Sequence, residues 1–239
     1  MTHPPDAAGE RFAVYFLPPA GSPLWRVGCR WLGRDADRPG GDVRTPAADL
    51  GPISETEWAA ATAEPRRYGF HATLKPPFRL ANGCDLADLD GALARFAAGR
   101  RRFSVGELRL KVLDGFLALC PAAPSPDLNA LAADCVRDFD AFRRRPDPVE
   151  LDRRRARGLT PRQEANLTAW GYPYVLDEFR FHMTLTGCLA DDAAARFLDV
   201  LEPMFAEALS GPLFVGGVAL SREQSPGAPF ETLRRYVFA

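Results

Sequence analysis

Histidine and lysine are scarce in this chain. Its 239 residues hold three histidines, and Lys75 and Lys111 are the only lysines. Cationic charge is therefore almost all arginine. With abundant Ala and Pro this reads as a sequence-wide bias, so the arginine runs at 143–145 and 153–155 carry less weight than they would elsewhere. Cysteine is sparse and odd in number. Cys29, Cys84, Cys120, Cys135 and Cys188 are scattered without a Cys-x-x-Cys pair, which argues against a zinc site and for reduced thiols in a cytoplasmic protein. No apolar run approaches the length of a membrane span. The N-terminal stretch lacks the basic start and apolar core of a secretion signal. A formal net charge of −1 gives no bulk attraction to nucleic acid, and 46% hydrophobic residues is too many for global disorder.

The pattern of what is present predicts mixed helices and strands. "RFAVYFLP" alternates as a first strand. Ser22 caps a helix that Pro23 opens and Gly33 stops. Ser54 with Glu57 forms a capping box for a short helix, expected to end before Pro65. A strand at about 68–75 is expected to halt at Pro76-Pro77, with a helix at about 86–99 after it. Asp114-Gly115 joins two apolar strands as a hairpin turn. An amphipathic helix covers about 127–143. Two short helices at 146–172 read as an insertion, and a helix at about 191–209 leads to strands at 213–221 and "TLRRYVF".

"RYGFHATLKPPF" at 67–78 and "EFRFHMTLTG" at 178–187 nearly repeat each other, and hold two of the three histidines. "SVGELRL" at 104–110 then resembles "FVGGVAL" at 214–220, placed 34 residues from His71 to Val105 and 33 from His182 to Val215. Matching offsets across an intervening helix imply a duplicated unit. The expectation is a single α+β bilobal domain over 1–239. Its lobes lie at about 68–143 and 178–239, each with a small antiparallel sheet, and 11–60 complete the core.

Alternation along a strand puts Gly69, His71, Thr73 and Lys75 on one face, and Arg180, His182, Thr184 and Thr186 on one face of the other copy. If the lobes pack about a pseudo-twofold axis, those faces meet across one cleft. Two imidazoles suit a phosphate ester: one neutral as base, one protonated as acid. Thr73 and Thr184 can donate to non-bridging oxygens and Lys75 can offset charge. The frames hold no Asp, Glu or Cys at ligand spacing, so no metal or other cofactor is expected. His3 lies in a terminus with no expected role.

At these residues the sequence resembles the 2H phosphoesterase superfamily, named for two His-x-[Ser/Thr] motifs; "HATL" at 71–74 and "HMTL" at 182–185 fit both. "PLWRVGCRWLGRD", "RRYGFHATLKPPFRL", "GFLALCPAAPSP" and "WGYPYVLDEFRFHMTLTG" are similar to the DUF1045-like branch associated with phosphonate-metabolism operons. The resemblance implies a bilobal α+β phosphodiesterase with His71 and His182 catalytic and Thr73 and Thr184 holding phosphate. It implies a small ribosyl cyclic phosphate as substrate, with RNA-end 2′,3′-cyclic phosphodiesterase or 2′–5′ ligase chemistry as the alternative.

Lys75 and Thr186 occupy matching positions, and their difference suggests a substrate with unequal ends. Tyr68 either stacks on a sugar or base, donates to phosphate, or packs. Arg180 either faces the pocket or forms an ion pair at the rim. Tyr15 enters as a pocket residue from the minority face of the first strand, and Tyr172 and Tyr174 as hinge or lid residues. The expected partner is a small phosphorylated molecule rather than nucleic acid or membrane, and the expected state is monomeric.

Overall fold

A computed structural model describes residues 9–38, 40, 43, 47–156 and 158–239 of the chain; His3 and Arg157 lie outside them. The elements run β1 Arg11–Phe16, α1 Pro23–Leu32, α2 Glu55–Tyr68, β2 Ala72–Phe78, α3 Leu86–Ala98, β3 Phe103–Gly106, β4 Leu108–Leu113 and β5 Phe116–Pro121. They continue with α4 Pro126–Asp138, α5 Pro148–Arg155, α6 Pro161–Trp170, β6 Met183–Cys188, α7 Asp191–Phe205, β7 Leu213–Val215, β8 Gly217–Glu223 and β9 Phe230–Val237.

Local signals set most of these limits. The Ser22 hydroxyl accepts from the Trp25 amide, and Gly33 stops α1 at φ 67°. The Ser54–Glu57 capping box is formed. Asp114 and Gly115 take φ 47° and 88°, as a two-residue hairpin turn requires. Two proline expectations are corrected. Helix α2 runs through Pro65 to Tyr68, because a proline one turn from the end removes only one intrahelical bond and the Pro65 carbonyl is satisfied by the Gly69 amide. Strand β2 runs through Pro76 and Pro77, where its register against β1 is irregular and ladder donors are not needed. Helix α4 stops at Asp138, short of 143. Beyond a 3₁₀ turn the chain is drawn into a bridge with β2's exit: Ala81 N donates to Phe142 O at 2.9 Å and Arg144 N to Arg79 O at 2.8 Å.

Seven strands form one antiparallel sheet in the order β4-β5-β6-β2-β1-β8-β9, and β3 pairs with β7 beside it. The duplicated third strand is split in both copies at a glycine. Gly106 (φ 81°) ends β3 one residue before β4 begins, and Gly216 separates β7 from β8. One piece of each joins the large sheet and the other pieces pair together. The expected lobes therefore interleave. Strands β8 and β9, from the C-terminal copy, sit beside β1 and β2. Strands β4 and β5, from the first copy, sit beside β6.

One face of the sheet is core, carrying Phe12, Val14, Phe16, Ala72, Leu74, Met183 and Leu185. Trp31 of α1 ties to it, Nε1 donating to the Leu185 carbonyl at 2.8 Å, and the Trp58 indole in turn donates to the Trp31 carbonyl at 2.8 Å. Gly28 lets α1 approach, since a Cβ there would meet the Phe70 ring at 2.2 Å. Burying large aromatics against a sheet contributes roughly 25 cal/mol per Å² of apolar surface.

Candidate active site

The two histidine strands are neighbours at the middle of the sheet, joined antiparallel with Ala72 opposite Met183. One step to either side along that register sets His71 across from Thr184 and Thr73 across from His182. Ala72 and Met183 point into the core, and the two histidines and two threonines lie half-buried on the other face. Both copies of the motif thus share one site about a pseudo-twofold axis between Ala72 and Met183.

Each imidazole is held in the same way. His71 Nδ1 lies 2.9 Å from the Gly69 carbonyl, and His182 Nδ1 lies 2.7 Å from the Arg180 carbonyl. A carbonyl only accepts, so both rings carry the proton on Nδ1 and present the Nε2 lone pair to the cleft. The Thr73 hydroxyl donates to His71 Nε2 at 3.2 Å. Gly69 has φ 76° and ψ 178°, a conformation essentially restricted to glycine, so its carbonyl is aimed by the turn between α2 and β2.

Burial, reinforced by the positive charge His182 can carry, pulls His71 down to about 4; the Gly69 bond opposes it only in part. His182 is also lowered, by burial and the nearby Arg180 guanidinium, against the Arg180 carbonyl and Asp114. Both rings are therefore neutral at pH 7, and His71 is the harder to protonate.

Tyr15 lies beside His71, as the pocket expectation requires. It pairs with Thr73 across β1–β2, its ring centroid lies 3.9 Å from His71, and its hydroxyl is buried without a hydrogen-bond partner. Burial first, then the closeness of Tyr68, Glu223 and Tyr172, holds the phenol well above its ordinary range despite Arg11. Tyr68 is 6.0 Å from His71 and stacks on Phe230 at 5.1 Å, so it both packs and borders the site. Arg180 is exposed and faces Asp114 at 3.7 Å, at the rim beside His182. Tyr172 and Tyr174 touch each other at 5.7 Å.

Lys75 is corrected. Tyr15 pairs with Thr73 but Val14 pairs with Lys75, so a bulge in β2 turns Lys75 to the core face. It is 2% exposed, donates to the Val136 carbonyl at 2.9 Å, and lies 3.6 Å from Asp140. Thr186, at the equivalent position, is also buried, and its hydroxyl accepts from the Leu117 amide at 3.0 Å, where the β5–β6 register is irregular. The difference between Lys75 and Thr186 is thus a difference of cores and does not shape the pocket.

Sequence reasoning did not single out Arg11, Arg67 or Glu223. The Glu223 carboxylate is fully buried, bonded by Arg11 and by Arg67 at 2.5 Å. Only the pairing of Arg11 with Glu223 across β1–β8 brings them together, and no local pattern announces it. Phe116, 5.7 Å from His182, comes from the hairpin in the same way. Among the described residues no three His, Cys, Asp or Glu side chains gather as a metal ion would require, and no helix is long and apolar enough to cross a membrane.

Residues 73–231 match the family described as Protein of unknown function (DUF1045). The chain is 39% identical over 233 residues to the ribose 1,5-bisphosphate phosphokinase PhnN of Janthinobacterium sp. (strain Marseille), covering 96% of this chain and 51% of that protein. It is 36% identical over 232 residues to the protein of the same name from Laribacter hongkongensis (strain HLHK9), covering 94% and 51%. The chain therefore spans about half the length of these curated relatives. Among solved structures it is similar to a phosphoesterase (TM-score 0.42, 14% identity, 97% of this chain and 99% of that one). It is also similar to E. coli LigT complexed with NADP+ (TM-score 0.40, 12% identity, 96% and 98%).

Proposed function

The chain belongs to the DUF1045 family, and from that premise we propose that it is a phosphodiesterase opening a small ribosyl cyclic phosphate. The observation that carries this reading is the pair of imidazoles, each locked at Nδ1 and each set across the central strand pair from the other's threonine.

His71 Nε2 takes a proton from a water molecule as that water attacks phosphorus. His182, protonated on Nε2, gives its proton to the departing sugar oxygen, and a phosphomonoester and a free hydroxyl result. The unequal depression of the two rings supports these roles: when one ring of the pair carries a proton, it is His182. Thr184 and Tyr15 hydroxyls donate to the non-bridging oxygens. Thr73 leaves His71 Nε2 for the phosphate on binding, which uncovers the base. The name of the half-matched relatives, which specifies a phosphorylated ribose, supports the sugar class.

The test is a panel of cyclic phosphates on ribose, mononucleotide and RNA termini, assayed with EDTA present. Turnover of the sugar substrate is expected, with loss of about 10³-fold or more in His71→Ala and in His182→Ala. Full turnover by either variant would overturn the reading.

A further inference from the structure

We propose that Arg34 is a positioning residue for His71: by clamping the end of α2 it aims the Gly69 carbonyl, and so fixes which nitrogen of the His71 ring is free to take a proton. Its kinetic consequence rests on the phosphodiesterase reading above, whereas the state of the ring is measured without any substrate.

The Gly69 carbonyl receives the His71 Nδ1–H at 2.9 Å. Glycine itself holds no orientation, because without a Cβ it passes freely between backbone regions. The φ of 76° and ψ of 178° at this turn are therefore imposed from its two sides. On the strand side Phe70 is fully buried in the core, its ring filling the space that Gly28 leaves open. On the helix side the holder is Arg34. Its Nη1 donates to the Arg67 carbonyl at 3.0 Å and to the Arg66 carbonyl at 3.3 Å, and its Nη2 to the Phe230 carbonyl at 2.5 Å. Arg66 and Arg67 belong to the last turn of α2, whose carbonyls have no intrahelical donors, and a cation there also complements the helix dipole.

Arg34 is itself fixed. It follows the Gly33 cap of α1, where the Gly33 amide donates to the Arg30 carbonyl and the Arg34 amide to the Cys29 carbonyl at 3.0 Å. Two residues on, Ala36 closes against the turn. A Cβ on Gly69 would meet the Ala36 Cβ at 2.7 Å, and the Ala36 carbonyl accepts from the Thr232 amide at 2.9 Å. One planar guanidinium thus joins the exit of α1, the end of α2 and the start of β9, a span that a single ammonium does not cover.

His182 is approached differently. Helix α2 ends at Tyr68, three residues before His71, but α6 ends at Trp170, twelve before His182. Among the described residues, the side-chain bonds from α6 to that stretch reach as far as Glu178, through Gln163 at 3.0 Å, and stop short of Arg180, whose carbonyl holds the ring. A base must keep one lone pair aimed at the attacking water, and the ring with the clamped cradle is the one assigned as base.

The test reads the imidazoles of the intact chain by nitrogen-15 NMR at pH 7, with the spectra of His71→Gln and His182→Gln assigning the rings. Both rings of the wild type are expected to carry their proton wholly on Nδ1. In Arg34→Gln, His71 is expected to become a mixture of the two tautomers while His182 stays as it was, a selectivity that general loosening of the fold does not produce. With the ribose cyclic phosphate of the panel above, kcat is expected to fall about tenfold or more at unchanged KM, as for an interaction made in the transition state alone. Arg34→Lys keeps the charge but not the fork; it is expected to show the same mixture, and is the variant measured should Arg34→Gln fail to fold. A His71 ring that stays on Nδ1 in a folded variant, or an equal change at His182, would overturn the clamp. A changed tautomer with kcat intact would remove Arg34 from the reaction. Absence of turnover by the wild type, with the His71 change present, overturns the phosphodiesterase reading and leaves the clamp standing.

Discussion

The Tyr15 ring lies 3.9 Å from the His71 imidazole, tilted 35°, and its hydroxyl has no partner. Tyr15→Phe keeps the ring and removes only that oxygen. Removing an unsatisfied buried group costs nothing in stability, so the melting temperature is expected to hold or rise. Activity on a cyclic phosphate is expected to fall about tenfold or more through loss of a donor to a charged oxygen. Unchanged kcat/KM would remove Tyr15 from the site.

Two depressed histidines set a pH profile. His71 works as a base once it is neutral, above about 4, and His182 works as an acid only below its own pKa, which lies under the ordinary 6.5. The kcat/KM of the free protein should therefore peak between those limits and decline through neutrality. A profile rising steadily from pH 5 to 9 would exclude this assignment of acid and base.

Lys75→Met tests the bulge. The ammonium is held by Val136 and Asp140 on the core side, so kcat/KM is expected to stay within about threefold, and stability at pH 7 within about 1 kcal/mol of wild type. Burial, against the pull of Asp140, lowers Lys75 from 10.5 to about 8. Between those values the unfolded chain keeps a proton that the native one has released, so native stability rises with pH there. Urea midpoints from pH 8 to 10 should rise in wild type relative to the variant. A hundredfold activity loss would return Lys75 to the substrate.

The Glu223 carboxylate makes the opposite case. Burial pushes it up, but its bonds to Arg11 and Arg67 outweigh that and leave it below its ordinary value. Such a group adds stability above the ordinary carboxylate range and loses it as pH falls through the folded value. Glu223→Gln leaves two arginines without their anion and is expected to cost about 3 kcal/mol at pH 7 by urea unfolding, less below pH 4.5. An equal cost at pH 3.5 and pH 7 would contradict the ion-pair account.

The histidine faces were legible because alternation is a local rule, and it held from His71 to Thr73 and from His182 to Thr184. It failed at Lys75 and Thr186, one step further along each strand. There a bulge interrupts alternation, and a bulge depends on the neighbouring strand's register rather than on the strand's own letters. The repeated "VG" in 105–106 and 215–216 marked the duplication, yet gave no sign that each strand would break there and serve two sheets. Tyr15 was ambiguous because every residue of β1 after Arg11 is buried, so neither face looks polar. The Arg11–Glu223 contact joins residues 212 apart and is invisible without pairing.

The exchange of strands between the two copies has a historical corollary. A chain of half this length, holding one histidine strand and its following split strand, would have left its β1-like neighbour uncovered and its motif facing nothing. Such an ancestor could assemble this cleft only as a couple of identical molecules, each lending a ribbon to the other. A single chain that carries both copies lets each half change alone, and the buried Lys75 of one copy against the buried Thr186 of the other is a difference that a couple of identical molecules could not hold.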